Sequence, residues 1–384
     1  MITWSGCEPA AMRCGIEFEY LIVDTSGPVS GRIRDFSNLP FAFIRDLLDD
    51  KPGRNDSSLA TGDLGIRSGY WYLEGDERFH EDGRFRAMAV KGVEIRTPPA
   101  PSVERAIQEL LDIEEQLSVV LARQGLGLAI VGFNPLRARY DFDPPLNPWE
   151  QTLRETDRDY ADDAAHVTTL SYGPDINLSQ PDWTAEQSLD AARKLNHYAP
   201  YIIPFSFSSP FYNGQIWQGC SKRTYERAGL RPAVKLFLAA ETLADFVSRS
   251  RLVHPARLPG ETGRIEFKAF DAHPSLAILT ACCHLLEGIC LAEDLTGRSE
   301  HADVALYRRA ALAGFDDAAI RDGASEVLGK ASAALLRVGD SRAVAALSPL
   351  KTLLAARRTP AHDLVAAYRA TGLMYKPGGH ALDI

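Results

Sequence analysis

The sequence predicts an α+β protein: a curved, mainly antiparallel sheet with a charged front face, helices packed on its back, and a helical C-terminal region. Three observations support this. Strand-like stretches with a period of two lie far apart in the chain. Helical stretches fall between them without βαβ regularity. From residue 273 to about 372 nearly everything is helical and rich in Ala and Leu.

The elements follow in order. In GIEFEYLIVD (15–24), Ile16, Phe18 and Tyr20 alternate with Glu17 and Glu19, which gives a strand two unlike faces. The two glutamates then lie about 6.6 Å apart along one face. A short helical piece, FAFIRDLLDD, and a loop-like stretch, KPGRNDSSLATGDLG, lead to SGYWYLEGD and RFRAMAVKGVEIRTPP, both strand-like. The next segment, PSVERAIQELLDIEEQLSVVLARQG, is the clearest helix. Ser102 can cap it, Ile107, Leu110, Leu111, Ile113, Leu117, Val120 and Leu121 form its apolar stripe, and Gly125 stops it. LGLAIVGFNP reads as a buried strand, 134–165 as a long Pro-containing connection suited to a lid, and VTTLSYGPDINLS as a strand. Helices are expected over about 184–199 and 232–249, with the strand GRIEFKAFD after them.

Composition narrows the function classes. The chain has 384 residues, 45% hydrophobic and 24% charged, with 42 Lys plus Arg against 51 Asp plus Glu and a net charge of −9. That is not the basic footprint of a nucleic-acid binder, so no nucleic-acid partner is expected. The most apolar segment, SLAILTACCHLLEGICLA, contains His284 and Glu287 and reads as a buried helix, so no membrane partner is expected either. MITWSGCEPAAMRCG has no basic start followed by an apolar run, and the six cysteines form no C-x-x-C pair. Reduced thiols and a cytoplasmic location are the expectation.

The chemistry is carried by a pattern that recurs three times. GIEFEYLIVD, GVEIRTPP and GRIEFKAFD each place glutamate at the centre of a charged face. In one sheet these would line a front with Glu17, Glu19, Glu94 and Glu266, interspersed with Arg96, Arg264 and Lys268. A solvated face explains each strand singly. Three together favour shared hard cations, Mg²⁺ or Mn²⁺, with the basic residues neutralising a phosphoryl group. Walker A, G-x-G-x-x-G, G-x-S-x-G and H-E-x-x-H patterns are missing from the sequence, so a nucleotide would bind on the sheet through metals. His166, before VTTLSYG, is either an acid–base group or structural.

These motifs resemble the glutamate–cysteine ligase family of carboxylate–amine ligases, in its bacterial and plant-like branch. GIEFEYLIVD is similar to its G-x-E-x-E strand and GVEIRTPP to its second acidic strand. GFNP, PFSFSSPFYNG, SKRTYERAG and GRIEFKAFD follow in the family's order, over roughly residues 15–295. The resemblance implies a glutamine-synthetase-like sheet that binds ATP with two or three Mg²⁺ ions, Mn²⁺ being an alternative. By it Glu17, Glu19, Glu94 and Glu266 are metal ligands, Arg223, Arg264 and Lys268 are catalytic, and Arg96, Asp175 and Asn177 contact the cofactor. Asn177 stands where the family usually has histidine, and Lys268 where arginine is typical.

The implied reaction joins a small-molecule amino-acid carboxylate, a glutamate γ-carboxyl, to an amine through an acyl phosphate. A phosphotransferase acting on a guanidino group, and a non-catalytic descendant that binds an amino acid or nucleotide, remain alternatives. Residues 1–300 are expected to form the catalytic domain and 301–384 a helical region packed on it, with surface that allows a homo-oligomer.

Overall fold

The first acidic strand sits at the middle of the sheet. The structure is a computed structural model that describes residues 12–27, 30–62, 64–156, 167–228 and 231–380. Eleven strands are named among them. They are β1 (Arg13–Asp24), β2 (Ile33–Arg34), β3 (Trp71–Phe79), β4 (Phe85–Arg96), β5 (Leu126–Ala129), β6 (Pro174–Ser179), β7 (Phe211–Tyr212), β8 (Gln215–Ile216), β9 (Val234–Leu238), β10 (Val253–Pro255) and β11 (Ile265–Phe267). The main sheet runs β10-β9-β11-β6-β1-β4-β3, and β2 and β5 also pair with β1. Only the β9–β10 pair among these is parallel.

β1 changes neighbours along its length. Arg13–Phe18 pairs with β6 and Glu17–Tyr20 with β4, whereas Leu21–Asp24 pairs with β5 and Ile22–Val23 also with β2. This exchange accompanies the curl of the sheet into half a barrel. The apolar residues Ile16, Phe18 and Tyr20 are fully buried on the back, as the period of two requires.

The helix Val103–Ala122 covers the back of β1, β4 and β5. The Ser102 side chain accepts the Arg105 N–H, and the buried stripe includes Ile107, Leu110, Ile113, Leu117 and Leu121. Leu111 and Val120 lie at its margin. The helix Ala185–Ile202 opens with a capping box from Thr184 and Gln187 and covers β9 and β11. Leu276–Leu291 packs against both helices, Ala318–Arg337, Ser341–Ala346 and Ser348–Ala355 follow around it, and Val304–Ala313 lies against Lys222–Arg227 and Ala185–Ile202. One core cluster runs from Cys14 to Ala361. The described cysteines Cys14, Cys220, Cys282, Cys283 and Cys290 are free. No helix among the described residues is long and apolar enough to cross a membrane.

Residues after the last long helix, Pro360–Thr371, return to the sheet. Pro377 bridges to Ala129, and the Gly378 N–H donates to the Leu128 carbonyl at 2.7 Å. His380 Nδ1 lies 3.0 Å from Glu114 Oε2, which also accepts the Tyr20 hydroxyl at 2.6 Å.

Two segments depart from expectation. Residues 232–249 are not one helix: Val234–Leu238 is a strand, followed by the helix Ala240–Val247. Val234, Leu236 and Leu238 are buried while Lys235 and Phe237 are less so, and the period of two pairs this run with β11. VTTL is helical at residues 167–170, so β6 starts only at Pro174. In the connection expected to be a lid, residues 148–156 are a helix fastened to β3. Arg78 donates to Glu150 at 2.9 and 3.0 Å, and Arg154 to Asp76 at 2.5 Å. His166 and residues 157–165 lie outside the described residues.

Candidate active site on the front of the sheet

Register decides which side chains share a face, because directly opposed residues in a sheet point the same way. Glu17 is opposite Arg96 on β4 and Asp175 on β6. Glu19 is opposite Glu94, which is opposite Tyr72 on β3. Glu266 is opposite Asn177 and Lys235. Arg264 and Lys268 flank the short β11 and reach the same face by ion pairs. Of the ten residues that the resemblance assigned to the site, nine therefore lie on one front, although Arg96 turns its donors away from it; Arg223 reaches its edge beside Gly173, whose N–H donates to Glu19.

Within that front the carboxylates form two trios that share Glu94. Glu17, Glu94 and Asp175 make one, and Glu19, Glu74 and Glu94 the other, each with an oxygen from every member within 4.8 Å of the others. Glu266 stands beside them, 3.0 Å from Arg264 Nη1 and paired with Lys268, which also binds Asp175. Asn177 bridges the two halves: its Oδ1 accepts from Arg264 Nη1 at 2.7 Å and its Nδ2 donates to Glu17 at 3.2 Å.

Burial and crowding set the protonation of these groups. Glu94 is pushed well above the usual carboxylate range by burial and by Glu74, Glu17, Glu19 and Asp175 around it. The Tyr72 hydroxyl donates to it at 2.9 Å, so its hydrogen-bond partner is a phenol and not a cation. Asp175 is pushed up to about 6 by burial, which outweighs Lys268. Burial raises Glu266 too, but Lys268, Arg264 and Lys235 together hold it down to about 2. For Glu19 the same contest ends below the ordinary value, because Lys91 overcomes burial. Crowded carboxylate oxygens from several strands, with Glu94 at the centre having no cationic hydrogen-bond partner among the described residues, fit a hard divalent cation.

Two expected site residues turn their donors elsewhere. Arg96 Nε, Nη1 and Nη2 donate to the carbonyls of Gly69, Ala60 and Arg67 at 2.8, 2.5 and 2.7 Å, holding the loop before β3. Its ring of donors shapes that loop and does not face the carboxylates. Arg223 is buried and donates to the carbonyls of Ala269 and Lys268, both at 3.1 Å. It braces the end of β11, near Asp271, which accepts hydroxyl hydrogens from Ser209 and Ser221.

Three contributors were not singled out from the sequence. Glu74 and Tyr72 lie in SGYWYLEGD, where alternation with Trp71 and Leu73 places them on the front. Lys91 was hidden because strict alternation from Val93 and Ile95 would turn it to the back. A β-bulge opposite Glu74 and Gly75 leaves Lys91 unpaired and re-aims it. Gly92, inside a strand, was the available signal: a Cβ there would collide with the Tyr20 carbonyl oxygen.

Residues 13–229 match the family model for glutamate–cysteine ligase family 2. The chain belongs to that family. Among curated relatives of this family member, a protein provisionally named glutamate–cysteine ligase 2-1 in Rubrobacter xylanophilus is 25% identical over 246 residues, covering 59% of this chain and 63% of the relative. A similarly named protein of Roseiflexus castenholzii is 21% identical over 236 residues, covering 57% and 59%. The chain thus spans about three fifths of the length of these relatives. Among solved structures, a bifunctional glutathione synthetase from Pasteurella multocida superposes with a TM-score of 0.58 at 16% identity, covering 94% of this chain and 50% of that one. A glutamate–cysteine ligase from Francisella tularensis in complex with AMP gives 0.55 at 12% identity, covering 97% and 86%. At these identities the likeness is one of fold.

Proposed function

We propose that this family member is an ATP-dependent carboxylate–amine ligase, acting on a glutamate γ-carboxyl. The observation that carries the reading is the pair of carboxylate trios sharing Glu94 on one half-buried sheet face, flanked by Arg264 and Lys268. Residues 1–300 would carry the chemistry and 301–384 brace it from behind.

A carboxylate is a poor electrophile, so activation must come first. Its oxygen attacks the γ-phosphorus of ATP, the bond to the β-phosphate oxygen breaks, and ADP leaves an acyl phosphate. The amine then attacks the acyl carbon, a C–N bond forms, inorganic phosphate departs, and the amine proton goes to solvent or phosphate. Glu17, Glu94 and Asp175 would hold a divalent cation, Mg²⁺ or Mn²⁺, which supplies charge neutralisation for the polyphosphate. Arg264 and Lys268, both paired to front-face carboxylates, can turn toward the oxygens of the transferring group. Asn177 orients Arg264 through its Oδ1. Arg96 and Arg223 act at one remove, by fixing the loop before β3 and the end of β11.

The test is phosphate release from Mg-ATP by the purified chain, with glutamate alone and then with glutamate plus a panel of amines that includes cysteine. The expected result is release that needs both partners and an amide seen by mass. Glu94→Gln should lower it at least about 100-fold. ADP production without any amide would replace this reading with a phosphotransferase. Bound ATP that never turns over with any pairing would replace it with a binding protein.

A further inference from the structure

The bulge in β4 delivers an ammonium group into the acidic front, and its surroundings are those of a fixed ion. Lys91 is 4% exposed. Its Nζ donates to Glu19 Oε1 at 2.5 Å and to the carbonyls of Thr168 and Ser171, both at 3.0 Å. An ammonium has three protons, and three acceptors are in place for them. The ring of Tyr172 lies 5.4 Å from the same nitrogen. Two glycines make room for the distortion, since a Cβ at Gly75 would strike the Ala89 carbonyl and one at Gly92 that of Tyr20.

Glu19 is satisfied in consequence. Glu19 has Lys91 on one oxygen, and its other oxygen accepts the Gly173 N–H at 2.8 Å. Glu74 is offset by charge alone: Arg67 Nη2 lies 3.0 Å from its Oε1, which accepts no hydrogen bond among the described residues. In the other trio Glu17 is held more loosely. Glu17 has Asn177 at 3.2 Å and Arg264 at 3.3 Å, longer than a good charge-assisted bond. Lys268, which serves Asp175, has carboxylates and no backbone carbonyl as hydrogen-bond acceptors among the described residues. Such a side chain can swing away, whereas moving Lys91 would strand two carbonyls.

We propose that Lys91 is a resident cation that fills the seat between Glu19 and Glu74, so that the protein by itself holds a single divalent ion, at Glu17, Glu94 and Asp175. Further ions then arrive only with nucleotide. The inference rests on the reading of the front face as a cation site, but not on the ligase reaction.

The experiment counts Mn²⁺ bound by the full chain without nucleotide, from the loss of the free-ion electron paramagnetic resonance signal during titration. Wild type is expected to bind one equivalent. Glu17→Gln should weaken that binding at least about tenfold, and Glu19→Gln should leave the count at one. Lys91→Met should raise it to two, and adding Glu19→Gln to that variant should restore one. Lys91→Met removes a buried charge partner and could fail to fold. The Glu19→Gln arm decides without it. A wild-type count of zero or two, or a lost ion in Glu19→Gln, overturns the proposal. Amide synthesis plays no part in the readout, so the ion count and the ligase reading can fail separately.

Discussion

Asp175 shows how one side chain couples the site to pH. Its folded pKa of about 6 lies above the ordinary aspartate value of 3.8, so the native state takes up the proton first as pH falls. The resulting contribution is full below the ordinary value and is lost as pH rises through about 6. In metal-free buffer with chelator, wild-type stability from urea midpoints should therefore fall between pH 4 and 6, and Asp175→Asn should flatten that slope. One proton limits the difference to about 1.4 kcal/mol per pH unit. Glu74 and Glu94 are also raised and act in the same sense, so the slope should shrink and not vanish. Glu266 and Glu19 oppose them below the ordinary value of 4.5, because their folded values are lowered, that of Glu266 to about 2. A slope unchanged in Asp175→Asn would remove Asp175 from this account. At this scale the four strand glutamates were legible, because alternation alone fixes the face of a side chain. Lys91 was not, because a bulge changes the face at one residue. Arg96 was placed on the right strand face, but its donors end on a loop that only the folded chain brings near.

Among elements, the helix Pro148–Thr156 is tied to β3 by charge more than by apolar packing. Glu150 accepts from Arg78 Nε and Nη2 in a bidentate pair, and also from the Phe79 and Asn147 N–H groups. Burial pushes Glu150 up, yet these donors hold it down to about 2. Removing one partner leaves the other buried without its counter-charge. Glu150→Ala should therefore lower unfolding free energy by about 3–5 kcal/mol. A loss under 1 kcal/mol by chemical denaturation would mean that the pair is solvated. The strong periodic helix over Val103–Ala122 was legible with its cap, since a long amphipathic run has one reading. VKLFL was not, because five residues cannot separate a period of two from 3.6, and the Ala-rich helix that follows extends the wrong pattern backwards.

At the scale of the whole molecule, one core joins the sheet to the C-terminal helices as far as Ala361. The α+β class and the helical C-terminal region could be read from the sequence, since both follow from the order of periods along the chain. The strand order could not, because β6 and β11 reach β1 and β6 only through long-range pairing. That pairing has a kinetic side. β1 precedes its partners β4 and β6 along the chain yet lies in the interior of the sheet, with neighbours on both flanks. Glu17 therefore waits for Glu94, Asp175 and the strands around them, and such non-local closure comes late in folding. A divalent ion held as proposed would recognise only the finished front. It should slow unfolding while leaving the refolding rate in dilute denaturant unchanged, since ligands of the native state alone act after the barrier. Stopped-flow traces with and without Mn²⁺ would show this as a shift in one limb of the chevron. Acceleration of refolding would mean that the acidic strands meet before the rest of the sheet is built.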